Sequence, residues 1–296
     1  MAVVDGVHKM RSVDTYRTVR AVMQGIWLGW KVESNWTNPF VFLTYLIAKP
    51  IASVILVGLV FVIGSSASGI SDSSREDLFF YTFTGAVFFI YPATITISLA
   101  YLVHEDRAKY EALKHIYITP SSLKPYIVGR GIASAINASV SVVVSLLVGS
   151  IIFSNYFALH LPIHASRVDY LALIASIPLG VAAFISLGMI LYAINLVTFK
   201  LQYSLSEYTT GILFLLSGVV FPPTMLPYPV SLIGEALPTT HFLNVVRASL
   251  MGYNAYGSMA YLLLSTILMI VIALIFMKRV ESIARIKGTI DRKAEY

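Results

Sequence analysis

The sequence "GVVFPPTMLPYPVSLIGEALPTTHFLNVVRASLMG", residues 218–252, begins as an apolar run and is then interrupted by proline. Five of the chain's twelve prolines fall within seventeen residues of it, at positions 222, 223, 227, 229 and 238. Proline lacks a backbone N–H donor and costs about 3 kcal/mol in a helix interior. A membrane-spanning helix that enters this stretch therefore has to end within it.

The composition of the whole chain indicates an integral membrane protein. Of its 296 residues, 57% are hydrophobic and only 12% are charged, whereas soluble domains are roughly 25% charged. There are no cysteines, which excludes disulfides, thiolate nucleophiles and cysteine-based metal sites. The first 39 residues contain no long apolar run, so we expect no cleaved signal peptide.

Six apolar segments predict an all-α protein with a six-helix transmembrane domain over residues 40–277. A helix needs roughly 20 residues to cross a 30 Å hydrocarbon core, and five segments reach that length while the fifth is short. The segments are 40–64, 79–103, 131–153, 170–199, 208–221 and 258–277.

The region 1–39 precedes the first span and has an amphipathic pattern. Apolar residues recur at three-and-four spacing from Val13 to Trp30, with basic residues between them. Aromatic and basic residues together favour a helix that lies at the lipid headgroups. The alternative is a helix packed on a soluble core.

Positive charge predicts the orientation of the spans. With the N-terminus inside, sixteen of the 21 Lys and Arg residues fall on the inner side, including those of a basic tail over 278–296. The outer loops contain only Arg75, Arg167 and Arg247. Under the positive-inside rule, both termini are expected in the cytoplasm, with the chain in the plasma membrane. Lys49, about ten residues into the first segment, either snorkels to the inner interface or faces a cavity.

The sequence contains no motif for ATP hydrolysis or hydrolytic catalysis. No G-x-x-x-x-G-K-[ST], H-E-x-x-H or G-x-S-x-G pattern occurs. His160 and His164 are four residues apart, but Pro162 between them argues against a helical metal site. No Asp or Glu falls within the predicted spans, so a carboxylate pair for ion coupling is not expected.

The inner loop 104–125 combines charges of both signs. Glu105, Arg107, Lys109 and Glu111 suggest one or two helical turns, which end near Thr119-Pro120. This short charged helix is either a solvated loop or a docking element for a cytoplasmic partner.

The region 222–252 predicts a re-entrant helical hairpin between spans five and six. Pro238-Thr239-Thr240 is a helix-start signal, and a helix from about Thr240 to Leu250 is too short to span. On it Thr240, Asn244 and Arg247 share one face. Irregular backbone at membrane depth is tolerated where it lines a water-filled cavity, so we expect this polar face to line a path on the outer side.

The two stretches resemble the permease subunit of ABC-2-type ATP-binding-cassette exporters. The loop is similar to the family's E-R-x-x-x-x-E-x-L-x…T-P pattern, with Asp106 inserted between the Glu and the Arg. The second stretch is similar to the S-G…F-P…L-P…P-x-T…R…L-x-G element. Its matching residues are Ser217, Gly218, Phe221, Pro222, Leu226, Pro227, Pro238, Thr240, Arg247, Leu250 and Gly252.

The resemblance implies partners and roles for these residues. It implies a second permease chain, in a homodimer, and two cytoplasmic ATPase subunits that bind ATP and magnesium, with no cofactor or metal in this chain and no nucleic-acid partner. The implied ATPase-coupling residues are Glu105, Arg107, Lys109, Glu111, Leu113, Thr119 and Pro120. The implied outer-gate residues are Pro222, Pro223, Pro227, Pro238, Thr240, Asn244 and Arg247.

Other functions stay open on the sequence alone. The substrate could be a drug-like amphiphile, a lipid, a glycan carrier or a peptide. An ion-coupled secondary carrier would be expected to have ionisable groups in its spans or repeated broken helices. A membrane enzyme would need a catalytic set within the spans.

Overall fold

The computed structural model describes residues 2–34, 38–68, 72–109, 116, 123–198 and 204–288. These ranges are helical with connecting turns, and they contain no strand, which confirms the all-α prediction. The helices are α1 (Ala2–Ser34), α2 (Pro39–Ala67), α3 (Asp72–Phe88), α4 (Ile90–His104), α5 (Leu123–Phe157), α6 (Tyr170–Val197), α7 (Ser204–Leu216), α8 (Val230–Ala236), α9 (Pro238–Met251) and α10 (Tyr256–Ile286).

Five helical stretches are long and apolar enough to cross a membrane, so the chain is a multi-pass membrane protein. They are Pro50–Ala67, Ser74–Arg107, Leu123–Phe157, Tyr170–Val197 and Tyr256–Ile286. The fifth predicted segment is the exception, because α7 has only 13 residues and is about 20 Å long at 1.5 Å per residue. The last span continues to Ile286, so the first part of the predicted basic tail is helical.

Two prolines within spans have different effects on their helices. The second span is interrupted at Phe89, between α3 and α4, three residues before Pro92. Because Pro92 has no N–H, the carbonyl of Phe88 lacks its usual helical partner, and the helix is interrupted at the next residue. In contrast, α6 is one uninterrupted helix that contains Pro178.

Helix α1 packs along α5 and leaves its apolar stripe uncovered. The side chains of Tyr16, Met23 and Trp27 are 66%, 66% and 63% exposed. Gly25 and Gly29, on the opposite face of the helix, are buried. The Lys31 ammonium lies 5.0 Å from the centre of the Trp27 ring. An apolar stripe that points away from the protein is the arrangement expected of a helix whose outer face meets lipid.

The seam between α1 and α5 depends on glycine. A Cβ built on Gly129 would lie 2.4 Å from the backbone oxygen of Val22, and one on Gly25 would lie 2.9 Å from that of Tyr126. Small residues four apart on facing helices allow this close backbone approach in membranes. Gly29 continues the seam against Ala133.

We predict that Gly129→Ala destabilises the protein although alanine favours the helix by about 1 kcal/mol over glycine. The added methyl group would displace α1 from α5. Gly64→Ala, at a helical position with nothing within 4 Å of the added Cβ, is the matched control. Thermal unfolding in detergent should show a lower midpoint for the first variant and not for the second. An unchanged midpoint for Gly129→Ala would contradict the close seam.

Candidate functional site

The broken segment, residues 217–252, consists of short elements that its prolines and glycines define. After α7 the chain turns at Gly218, whose φ of 73° is readily accessible to glycine. Pro223 then starts a single 3-10 turn, Pro223–Met225. Helix α9 has Pro238 in its first turn and ends at Gly252 in the left-handed conformation. The predicted short helix after Pro238 is therefore present.

Helices α8 and α9 fold back on the end of α7. A Cβ on Gly234 would lie 2.6 Å from the carbonyl oxygen of Leu216, the last residue of α7. The Thr240 hydroxyl donates to the carbonyl oxygen of Gly234, which joins the start of α9 to α8. Pro222 is half-buried and Pro227 is exposed. Helix α7 thus ends at Leu216, ahead of the prolines, and the turn at Gly218 allows α8 to return alongside it.

The apex of this fold, residues 236–239, lies beside the middles of the long helices. Phe242, one turn further on, packs against Phe88 and Tyr91 of the second span and Phe184 of α6, with ring centroids 6.4, 6.0 and 5.4 Å apart. A cavity of about 240 Å³ lies at the apex. It is lined by Ala183, Phe184, Leu187, Thr209, Ile212, Leu213, Leu237, Pro238, Thr239 and Met269.

Arg247 joins three parts of the bundle through backbone oxygens. Its Nη2 atom donates to the carbonyl oxygens of Tyr81, Gly218 and Val219 at 2.9, 2.9 and 3.1 Å. Its guanidinium carbon lies 3.5 Å from the centre of the Tyr81 ring. Gly85 leaves room for this arrangement, because a Cβ there would collide with both Val219 and Arg247. The arginine therefore holds α9, α3 and the turn after α7 together.

The predicted polar stripe of α9 is used mainly inside the protein. Thr240 and Arg247 are only 3% and 7% exposed, and both donate to backbone carbonyls. Asn244 is half-buried. The side chains of Thr240 and Arg247 thus face backbone within the protein and not an open path. The carbonyls of Gly218 and Val219 lie beyond the end of α7, where backbone groups need donors from elsewhere.

At the opposite end of the second span, Glu105–Lys109 forms a π-helical turn. Arg130 of α5 donates to the Glu105 carboxylate at 3.1 Å, and the Tyr126 hydroxyl donates to Asp106 at 2.9 Å. Arg107 donates to the carbonyl oxygen of Leu196 in α6 at 3.1 Å. We call Glu105, Asp106, Arg107, Tyr126 and Arg130 the inner polar cluster, after the side of the membrane that the distribution of positive charge predicts for it.

The inner polar cluster changes the interpretation of two predicted docking residues. Arg107 is 8% exposed and the Glu105 side chain 34%, so both are engaged within the chain and do not project from a solvated loop. Lys109 ends the π-helical turn. The other predicted coupling residues lie outside the described residues, namely Glu111, Leu113, Thr119 and Pro120. The Lys49 side chain is likewise not described.

No sequence pattern indicated a role for Asp106 or Tyr126, and no carboxylate was expected in a span. The helix of the second span extends to Arg107 and so includes Glu105 and Asp106. The one feature of the sequence that could have drawn attention to Asp106 was its insertion between Glu105 and Arg107 in the family's Glu-Arg pair. His160, part of the histidine pair, has its Nδ1 3.1 Å from the Ser154 hydroxyl in a non-helical stretch. Within the described ranges no three His, Asp or Glu side chains are grouped to hold a metal ion.

No family model matches the chain, and no curated protein matches it either.

We predict that Arg247→Met lowers the free energy of unfolding by about 2 to 4 kcal/mol, because several buried carbonyls lose a charged donor. Arg247→Lys should be nearly as damaging, since an ammonium cannot reproduce the planar fork. Arg75→Met is the control, because among the described residues that guanidinium bonds to the Ser65 and Ser66 hydroxyls and to no backbone carbonyl. Equal unfolding midpoints for Arg247→Met and Arg75→Met would count against the role of Arg247.

We predict energetic coupling between Glu105 and Arg130 in a double-mutant cycle. Removing either partner leaves the other charge poorly compensated, and the one-third exposure of Glu105 limits the coupling to about 1 kcal/mol. The cycle uses Glu105→Gln, Arg130→Gln and the double variant, measured by chemical unfolding. Asp77, exposed near the outer end of α3, replaces Glu105 in the control cycle, which should be additive. Additivity in both cycles would show that the contact contributes nothing.

Proposed function

We propose that this chain is the permease subunit of an ABC-2-type exporter, which works as a homodimer with two separate ATPase subunits. The observation that carries the proposal is the broken segment, whose apex shares a cavity with Leu187 and Met269, near the middles of α6 and α10. The hairpin follows a short helix, α7, contains several prolines, and has its apex beside the middles of the long helices. This arrangement supports the resemblance of its sequence to the family element. The substrate we propose is an amphiphile, such as a drug, lipid or glycan-like molecule.

The topology we propose has six crossings. Helix α7 is completed by the re-entrant hairpin of α8 and α9, which enters from the outside and returns there. Both termini are cytoplasmic in the plasma membrane, in keeping with the excess of basic residues in the inner segments. Exposed tyrosines at the ends of helices, including Tyr156, Tyr170 and Tyr256, are in keeping with helix ends at a membrane interface, because tyrosine is enriched at both interfaces.

The inner polar cluster would transmit movement from the docked ATPase. The π-helical turn accommodates one more residue than an α-helical turn, which fits the insertion of Asp106 in the family's Glu-Arg pair. Through Arg130 the turn is tied to α5, which carries α1, and through Leu196 it is tied to α6. A force on the loop that follows would reach both helices without new chemistry in this chain.

The link from α6 to the outer side runs through Phe242. This side chain packs on Gly180, where a Cβ would lie 2.6 Å from its ring, and on Phe184. A shift of α6 would therefore move α9, and Arg247 would pass that shift to α3 and the turn after α7. The hairpin is thereby placed to act as an outer gate whose position follows the inner cluster.

The test of this function uses a loop residue that is not part of the inner cluster. Glu111→Lys should reduce co-purification of a co-expressed ABC ATPase and the ATPase activity coupled to transport, because charge complementarity at the docking surface is reversed. Glu207→Lys, on an exposed glutamate at the inner start of α7, is the matched control. Full association of both variants would remove the docking role of the loop, and absence of any associated ATPase would overturn the proposed function.

An ion-coupled secondary carrier is the second candidate, and Asp106 favours it. This carboxylate is 2% exposed, and one of its oxygens has no hydrogen-bond partner among the described residues. Buried carboxylates in spans often belong to ion pathways. The carrier would move substrate in ATPase-free proteoliposomes under an imposed pH gradient and lose that transport in Asp106→Asn. The exporter would require ATP and its partner subunits.

A further inference from the structure

Glu235 occupies an unusual place in this fold. It is the second-last residue of α8 and is exposed, directly before the apex that shares a cavity with Leu187 and Met269. Its neighbour Gly234 lies against the last residue of α7. The carboxylate is therefore on the surface of the chain at the level of the helix middles and not at a membrane interface.

An exposed carboxylate at this level can accept a polar group from outside the described chain. Within the described residues, the Glu235 side chain makes no hydrogen bond or ion pair. A charged group facing hydrocarbon is costly, and such groups almost always face a bundle interior or a water-filled cavity. Lipid chains therefore do not suit the surface that Glu235 occupies.

The groups around Glu235 indicate what this surface could bind. The His241 ring lies within electrostatic range of Glu235 and stacks on Tyr261 of α10, with ring centroids 5.2 Å apart and planes at 16°. Tyr261 is itself 62% exposed. Next to these groups, Leu237 and Pro238 open on the apolar cavity at the apex. A carboxylate, an aromatic surface and an apolar cavity together suit an organic cation with apolar substituents.

We propose that Glu235 lines the translocation path at mid-membrane and binds the positively charged group of a cationic amphiphile, with Tyr261 beside it and the apex cavity accepting apolar parts. This inference rests on the proposed function for the existence of the path. It assigns the polar lining of that path to the surface of α8 and α10, in place of the buried groups of α9. The site thereby selects among the amphiphiles that the sequence leaves open.

The first test measures water access at position 235. The chain has no cysteine, so single-cysteine variants have no background labelling. Glu235→Cys in membranes should react with a charged, water-soluble methanethiosulfonate reagent. Leu264→Cys, on a face of α10 that is 65% exposed and apolar, should not react. Labelling needs no ATPase, so it stays informative even if the docking proposal fails. No labelling at 235 under conditions that label Asn254→Cys in an exposed turn would overturn the proposal.

The second test measures charge selectivity with tetraphenylphosphonium and tetraphenylborate, a cation and an anion of nearly the same shape. The purified chain should bind the cation more tightly, and Glu235→Gln should weaken that binding by tenfold or more while sparing the anion. Glu235→Asp should recover part of the affinity, and Glu207→Gln should change nothing. Equal binding of the cation by the native chain and Glu235→Gln would overturn the assigned role, even if the exporter complex forms normally.

Discussion

The contact of the Arg247 guanidinium with backbone carbonyls beyond the end of α7 is the interaction on which the half of the protein around the broken segment depends. Ending a helix within an apolar environment leaves carbonyl oxygens that water cannot reach, and each such group is costly unless a donor replaces the lost N–H. Arg247 supplies donors to Gly218 and Val219, and in the same contact to Tyr81 of the second span. The interruption is therefore tolerated because a side chain from another helix satisfies it.

Small residues make the remaining helix contacts possible. Between lipid-facing helices the hydrophobic effect contributes little, so association depends on close packing and on polar contacts. Gly25 and Gly129 bring α1 against α5, and Gly180 admits the Phe242 ring between α9 and α6. The same lack of a side chain at Gly85 leaves room for Arg247. At Gly85, close helix packing and the hydrogen bonds of Arg247 to backbone carbonyls therefore depend on the same missing side chain.

Contacts that involve a charged side chain have comparable structural roles at the two ends of the second span. At the inner end Glu105 and Arg107 connect the π-helical turn to α5 and α6, and toward the outer end Tyr81 connects α3 to α9. A rigid element anchored at both ends can pass a displacement along its length, provided that its contacts have a second arrangement to adopt. The interruption at Phe89, next to the rings around Phe242, is where such a helix would bend.

The sequence by itself determined the membrane class, the all-helical architecture, the amphipathic α1 and the place where the fifth segment breaks. These follow from local properties: apolar run length, three-and-four periodicity, and the missing N–H of proline. Only the tertiary structure decided what the charged side chains do. Thr240 and Arg247 share a polar face in sequence, yet they are buried on backbone carbonyls, whereas Glu235 is exposed at the level of the helix middles. Which face of a short helix is covered depends on partners that lie more than a hundred residues away, such as Tyr81 for Arg247, and no local pattern contains that information.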